Sequence, residues 1–117
     1  MTTAQEIFAQ VDRLDPEGVI AFFADDATMV FGNQEPLLGR EAILAGNAAF
    51  LTAIKGLSHR ILREWTVGDT TIVVTDVSYT RRDDKEVTIP AVSIWRVGQA
   101  GLVTDYRVYF DPSPVFA

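Results

Sequence analysis

Thr71-Ile72-Val73-Val74-Thr75-Asp76-Val77-Ser78-Tyr79-Thr80 is the stretch that decides the fold. β-Branched and aromatic residues dominate it, and its polarity alternates with a period of two. Val73, Thr75, Val77 and Tyr79 fall on one face, Ile72, Val74, Asp76 and Ser78 on the other. Such alternation marks a strand whose two faces meet different surroundings. Working outward, Gly68-Asp69 and residues 82–85 read as turns, with strands predicted over 58–67 and 86–97 on either side. Gly98-Gln99-Ala100-Gly101 supplies the next turn, before a last strand over 102–110. Pro112 and Pro114 halt any further pairing.

Upstream of this meander the period changes. Ile7, Phe8, Val11 and Leu14 recur at helical spacing and predict a helix over 3–13. Asp15 then serves as N-cap and Pro16 as first residue of a second helix, with Val19, Ile20, Phe22 and Phe23 as its apolar face. A short strand is expected over 27–31 and a loop rich in Gly, Asn and Pro over 32–39. A third helix over 40–54 carries Ile43, Leu44, Phe50, Leu51 and Ile54 and stops at Gly56. Helices followed by long meandering strands read as α+β. The expected architecture is a curved antiparallel or mixed sheet wrapped around the N-terminal helices, a cone with an internal pocket.

The chain of 117 residues is expected to form one domain over 1–117. Hydrophobic residues make up 48% and charged residues 22%, the balance of a globular chain. A net charge of −6 argues against nucleic-acid and anionic-membrane partners, which need a basic patch. Arg81-Arg82 is followed at once by Asp83-Asp84 and reads as a solvated hairpin tip. The absence of cysteine excludes disulfide and thiolate chemistry. No apolar stretch suggests a signal peptide or a membrane span, so a cytoplasmic location is expected.

Two segments carry a family likeness: residues 14–28, Leu-Asp-Pro-Glu-Gly-Val-Ile-Ala-Phe-Phe-Ala-Asp-Asp-Ala-Thr, and Asp105-Tyr106-Arg107-Val108-Tyr109-Phe110-Asp111-Pro112. Together with the order of elements between them, they resemble the SnoaL-like, nuclear-transport-factor-2-like superfamily of cone folds. That superfamily spans ketosteroid isomerases, limonene-type epoxide hydrolases, polyketide cyclases and non-enzymatic binding modules. The resemblance therefore implies a fold, not one activity. The general base of the isomerases falls on Phe31, their oxyanion-holding Tyr on Ile7 or Phe8, and their protonated Asp on Val92 or Ser93. Phe and Ile neither take a proton nor hold an enolate. The water-holding and Asp-Arg-Asp positions of the epoxide hydrolases fall on Met29, Phe31, Val77, Tyr79 and Val108, so that set is absent as well. What remains is likeness to the cyclase group. The resemblance also implies a homodimer through the outer sheet face, where Ile72, Val74, Arg107 and Tyr109 are expected.

Alternation sorts the strand residues by face, and the resemblance implies that the face of Val73, Thr75, Val77 and Tyr79 points inward. Met29, Phe31, Phe50, Ile61, Val77, Ser93, Trp95, Val108 and Phe110 are expected to line a binding site for a small hydrophobic molecule. Placing Tyr106 inward puts Asp105 outward; a one-residue slip of the last strand reverses them. His59, the one histidine, is the candidate acid/base, with Tyr79 and Tyr106 polarising a carbonyl oxygen. Each also has a plainer reading: a hydrogen-bonded structural His, core tyrosines, a packed Trp95. The carboxylates are scattered and no spacing supports a metal site, so neither metal nor cofactor is expected. The expected activity is cofactor-free isomerisation, cyclisation or dehydration by acid/base chemistry. The alternative is a non-catalytic ligand-binding or dimeric scaffold module.

Overall fold

Strand alternation organises the molecule as the sequence suggests. A computed structural model describes residues 3–116. In chain order it has α1 (Ala4–Asp12), α2 (Pro16–Ile20), β1 (Phe23–Phe31), β2 (Leu37–Leu38) and α3 (Arg40–Thr52). Then come β3 (Gly56–Val67), β4 (Thr70–Thr80), β5 (Glu86–Val97), β6 (Val103–Phe110) and α4 (Ser113–Phe116). The strands form one six-stranded mixed sheet in the order β2-β1-β6-β5-β4-β3. Neighbours are antiparallel except for β1 and β6, which run parallel. The fold is α+β.

Local chemistry explains the helix starts. Thr3 caps α1 by accepting from the Glu6 N–H, and Asp15 caps α2 by accepting from the Gly18 N–H. Gly39 opens α3 at φ 86°, a conformation that strains any residue with a Cβ. Three boundaries differ from the sequence expectation. β1 begins at Phe23, not at Ala27, so Phe23 belongs to a strand and not to the face of α2. It pairs with Val103, and the Val103 N–H donates to the Phe22 carbonyl, a long-range tie that overrides the local helical spacing. Leu37 and Leu38 form β2 against Met29 and Thr28 inside the expected loop. Beyond Pro112 the chain turns into α4, where the Asp111 carboxylate accepts from both the N–H and the O–H of Ser113.

β4 buries Val73, Thr75, Val77 and Tyr79, the inward set, and β5 buries Ala91, Ser93 and Trp95. β6 buries Tyr106, while Asp105 pairs sideways with Arg96, so the tyrosine and not the aspartate takes the inner face. The opposite face carries partly exposed Ile72, Val74, Val92 and Ile94 in register. A bulge between Ile61 and Arg63 shifts the second half of β3 by one residue. Trp65 therefore pairs with Ile72 on the outer face and stays 47% exposed, near the row that includes Tyr109. Among the described residues, no helix is long and apolar enough to cross a membrane.

Candidate functional site

α3 aligns Ile43, Asn47 and Leu51 on its buried face by four-residue steps. Opposite this face the inner sheet supplies Val77, Tyr79, Ala91, Ser93, Tyr106, Val108 and Phe110, and a cavity lies between them. Met29, Phe31 and Phe50 also line it, as do Val11, Leu57 and His59. The structure thus gathers the candidate residues around one space, with two exceptions. Trp95 is fully buried, stacked on Tyr106 at 5.4 Å and edge-on to Phe8 at 6.1 Å. Its ring is wedged into the core beside α1 and does not border the cavity. Ile61 stands at the bulge of β3 and lines an outer groove with Gln5, Phe8 and Ala9. The bulge ends the regular inward alternation there.

The cavity is narrow. About 50 Å³ of it admits the centre of a water molecule, space for a few waters. Its wall is apolar apart from a small set of polar groups. His59 rests flat on Phe8, ring centroids 4.2 Å apart and planes 6° from parallel. Asp12 holds it from the side: the His59 backbone N–H donates to Oδ2 at 3.1 Å, and Nδ1 lies 2.6 Å from Oδ1. A neutral imidazole that donates from Nδ1 to this carboxylate keeps a lone pair on Nε2. Nε2 makes no hydrogen bond to another described residue. The ring borders the cavity on one side and the outer groove on the other.

Tyr106 donates to Ser93 Oγ at 3.2 Å. Burial pushes its phenol up to about 12, against the smaller opposing effect of that hydrogen bond. Burial likewise raises the Tyr79 phenol, and the nearby Tyr106 and Asp12 push it further. Both phenols are therefore O–H donors at neutral pH. The Tyr79 hydroxyl has no hydrogen-bond partner among the described residues. Asn47 donates to the Ile43 carbonyl at 2.9 Å and approaches the Met29 sulfur at 3.4 Å. Its amide borders the cavity and adds a buried polar group to that wall.

Sequence reasoning missed Asp12 and Asn47. The signal for Asn47 was present: an amide four residues after Ile43 and four before Leu51 interrupts an apolar stripe. Asp12 lies one helical turn after Phe8, on the face of α1 that meets His59. Only the register of β3 against α1 makes that a pair, so spacing alone does not reveal it. Among the described residues, no three His, Cys, Asp or Glu side chains gather to hold a metal ion.

The fold is shared with solved structures of low sequence identity. An NTF2-like protein of unknown function from Burkholderia pseudomallei superposes with a TM-score of 0.85 at 18% identity, covering 97% of this chain and 94% of that one. A hypothetical protein with a ketosteroid isomerase-like fold from Catenulispora acidiphila, solved with trimethylamine, gives 0.85 at 20%, covering 97% and 91%. An LEH-like epoxide hydrolase from M. tuberculosis gives 0.78 at 17%, covering 96% and 82%. At these identities the likeness shows the fold alone. No curated protein matches the chain by sequence. The SnoaL-like domain model matches residues 4–106, and the chain belongs to the SnoaL-like domain family.

Proposed function

We propose that the chain binds a small, uncharged hydrophobic carbonyl compound in this cavity and moves a proton on it without a cofactor. The observation that carries this reading is His59, fixed by Asp12 at 2.6 Å and bordering a mainly apolar cavity, with an Nε2 that no other described residue engages. Nε2 takes a proton from the carbon next to the carbonyl. The C–H electron pair moves into an enolate, and the oxygen's new charge is held by the O–H of Tyr79 and by that of Tyr106 once it turns from Ser93 Oγ. Asp12 stabilises the imidazolium that forms. Returning the proton to a different carbon isomerises the compound. Returning it to a β-hydroxyl releases water.

Among the described residues no Asp, Glu or second His lines the cavity, so His59 has no rival base on its wall. The experiment is deuterium wash-in at the α-carbon of cyclohexanone, followed by NMR in D2O. The protein should accelerate exchange above buffer. His59→Ala should remove about 10²–10⁴-fold of that acceleration, with the protein still folded. Binding of the ketone with exchange at the buffer rate would overturn the catalytic reading.

A non-catalytic dimeric scaffold module is the second reading, and the narrow cavity favours it. Ligand pockets are typically about 300–1,000 Å³, far above the open space beside His59. The outer sheet face supports a further part of the proposal, a homodimer. Trp65, Ile72, Ile94 and Tyr109 form an apolar surface that a second copy would cover. Tyr109→Glu should convert a dimer to monomer in sedimentation velocity, and a monomeric wild-type protein would refute it. A cytoplasmic location belongs to the same proposal, in keeping with a chain that has no cysteine.

A further inference from the structure

A second space adjoins the cavity. It lies between α3, the 32–37 loop and α4, and about 360 Å³ of it admits the centre of a water molecule. Phe31, Phe50 and Phe110 border both spaces, so aromatic side chains stand between them. Phe50 is the centre of that partition. It stacks on Phe31 at 5.7 Å and meets Tyr79, Phe110 and Phe116 edge-on at 6.0, 6.3 and 5.8 Å. Phe50 is half-buried, with open space on both sides of it. Turning it would join the chambers. Their character differs: the inner one has His59, Asn47, Ser93 and two phenols, whereas the outer one has apolar walls with the amides of Asn33 and Gln34. Apart from His59, neither chamber is lined by a charged or ionisable-to-charge side chain of Lys, Arg, Asp or Glu.

We infer that the two chambers form one site for an uncharged, elongated ligand, a cyclic ketone with an apolar tail. The carbonyl ring occupies the inner chamber, and the tail passes Phe50 into the outer one. This deepens the proposed function and rests on its inner cavity, but not on turnover. It also accounts for the smallness of the inner space, which holds only the head of the ligand. The outer chamber is held in shape by α4. Asp111 fixes the turn at Ser113, and the turn brings Phe116 against Phe50.

The test is titration calorimetry with cyclohexanone, 4-butylcyclohexanone and 4-hexylcyclohexanone, in wild type and two variants. Each buried methylene should tighten binding by about fourfold, so the hexyl compound should bind about tenfold or more tighter than cyclohexanone even when partly exposed. Ala49 lies exposed on α3 at the wall of the outer chamber. Ala49→Trp should fill that chamber, erase the gain with tail length and leave cyclohexanone binding within about twofold of wild type. Phe116→Ala should shrink the gain by removing one wall. An affinity that does not change with tail length, or a gain that survives Ala49→Trp, overturns the inference while leaving the inner cavity intact. Tail-dependent binding without α-proton exchange upholds it and defeats only the catalytic reading. No binding of any ketone overturns both.

Discussion

Two aromatic clusters built on the same sheet are packed in opposite ways. Phe8, Phe23, Trp95 and Tyr106 are all buried, with Trp95 and Tyr106 stacked in parallel and Phe8 edge-on to the indole. Phe31, Phe50, Phe110 and Phe116 touch one another just as often, yet each is at least partly exposed and together they border two empty spaces. Ring contact is therefore not what separates core from site. The first cluster is closed by α1 and α2 on one side and the sheet on the other. The second faces only α3 and a four-residue helix. The first is arranged to hold the fold, the second to admit something.

The largest expected effect tests the first half of that contrast. Trp95→Ala should cost about 3–5 kcal/mol in urea unfolding, with the slope of the transition unchanged. The indole N–H is buried without a hydrogen-bond partner, a standing penalty in the native state. Trp95→Phe removes that penalty along with part of the ring, so it should cost clearly less than the alanine change. Equal costs for the two substitutions would mean that the N–H finds water in solution. Phe50→Ala is the counterpart in the second cluster. A half-buried ring beside open space should cost about 1–2 kcal/mol, less than half the Trp95 value, while enlarging the passage for a tailed ketone. A Phe50→Ala cost matching that of Trp95→Ala would erase the distinction between the clusters.

The contrast was only partly legible in the sequence. Period-two alternation in residues 72–80 correctly sorted β4, because every residue there pairs without interruption. It carried over to β5 and β6 where their pairing is unbroken, from Ala91 with Phe110 to Arg96 with Asp105, and it selected Tyr106 over Asp105. At Ile61 the parity held, since it pairs with inward Thr75, but Ile61 packs at the core end and not on the cavity, and the bulge just after it is announced by no residue type. Alternation placed Trp95 on the inner face, which is correct, but the inner face has both a packed end and a hollow end. Which end a residue occupies depends on the helices above it. Phe23 shows the same limit: helical spacing from Val19 assigned it to α2, and a parallel pairing with Val103, far along the chain, made it a strand. Asp12 was invisible because its partner is 47 residues away in sequence.

Asp12 sharpens the contrast on the functional side. Asp12→Asn keeps the size of the side chain and a carbonyl oxygen near Nδ1, but removes the charge that stabilises an imidazolium. The proposed exchange reaction should fall by about 10²-fold or more while thermal stability changes little. A loss of stability as large as the loss of exchange would assign the pair to structure instead. His59→Gln should lose exchange as well, since glutamine fills the space without a base.

The smallest effect falls where the clusters meet, at Tyr106, which packs on Trp95 yet borders the cavity. Tyr106→Phe removes the hydrogen bond to Ser93 and should cost about 1 kcal/mol at neutral pH. Its more specific signature lies in alkali. The folded phenol is raised to about 12 from its ordinary 10, so between those values the unfolded chain has lost the proton and the native chain still holds it. The native state then binds more protons, and stability must fall as pH rises. It is fully present below pH 10 and is lost as pH climbs toward the folded value, by on the order of 1 kcal/mol per pH unit for this group. Tyr79 is raised in the same direction and adds to the same limb. Urea midpoints measured from pH 9 upward should therefore decline less steeply in Tyr106→Phe than in wild type, and less steeply again in the double variant with Tyr79→Phe. Identical slopes in all three proteins would mean that water reaches both hydroxyls freely, and that the hollow end of the sheet is as wet as the surface.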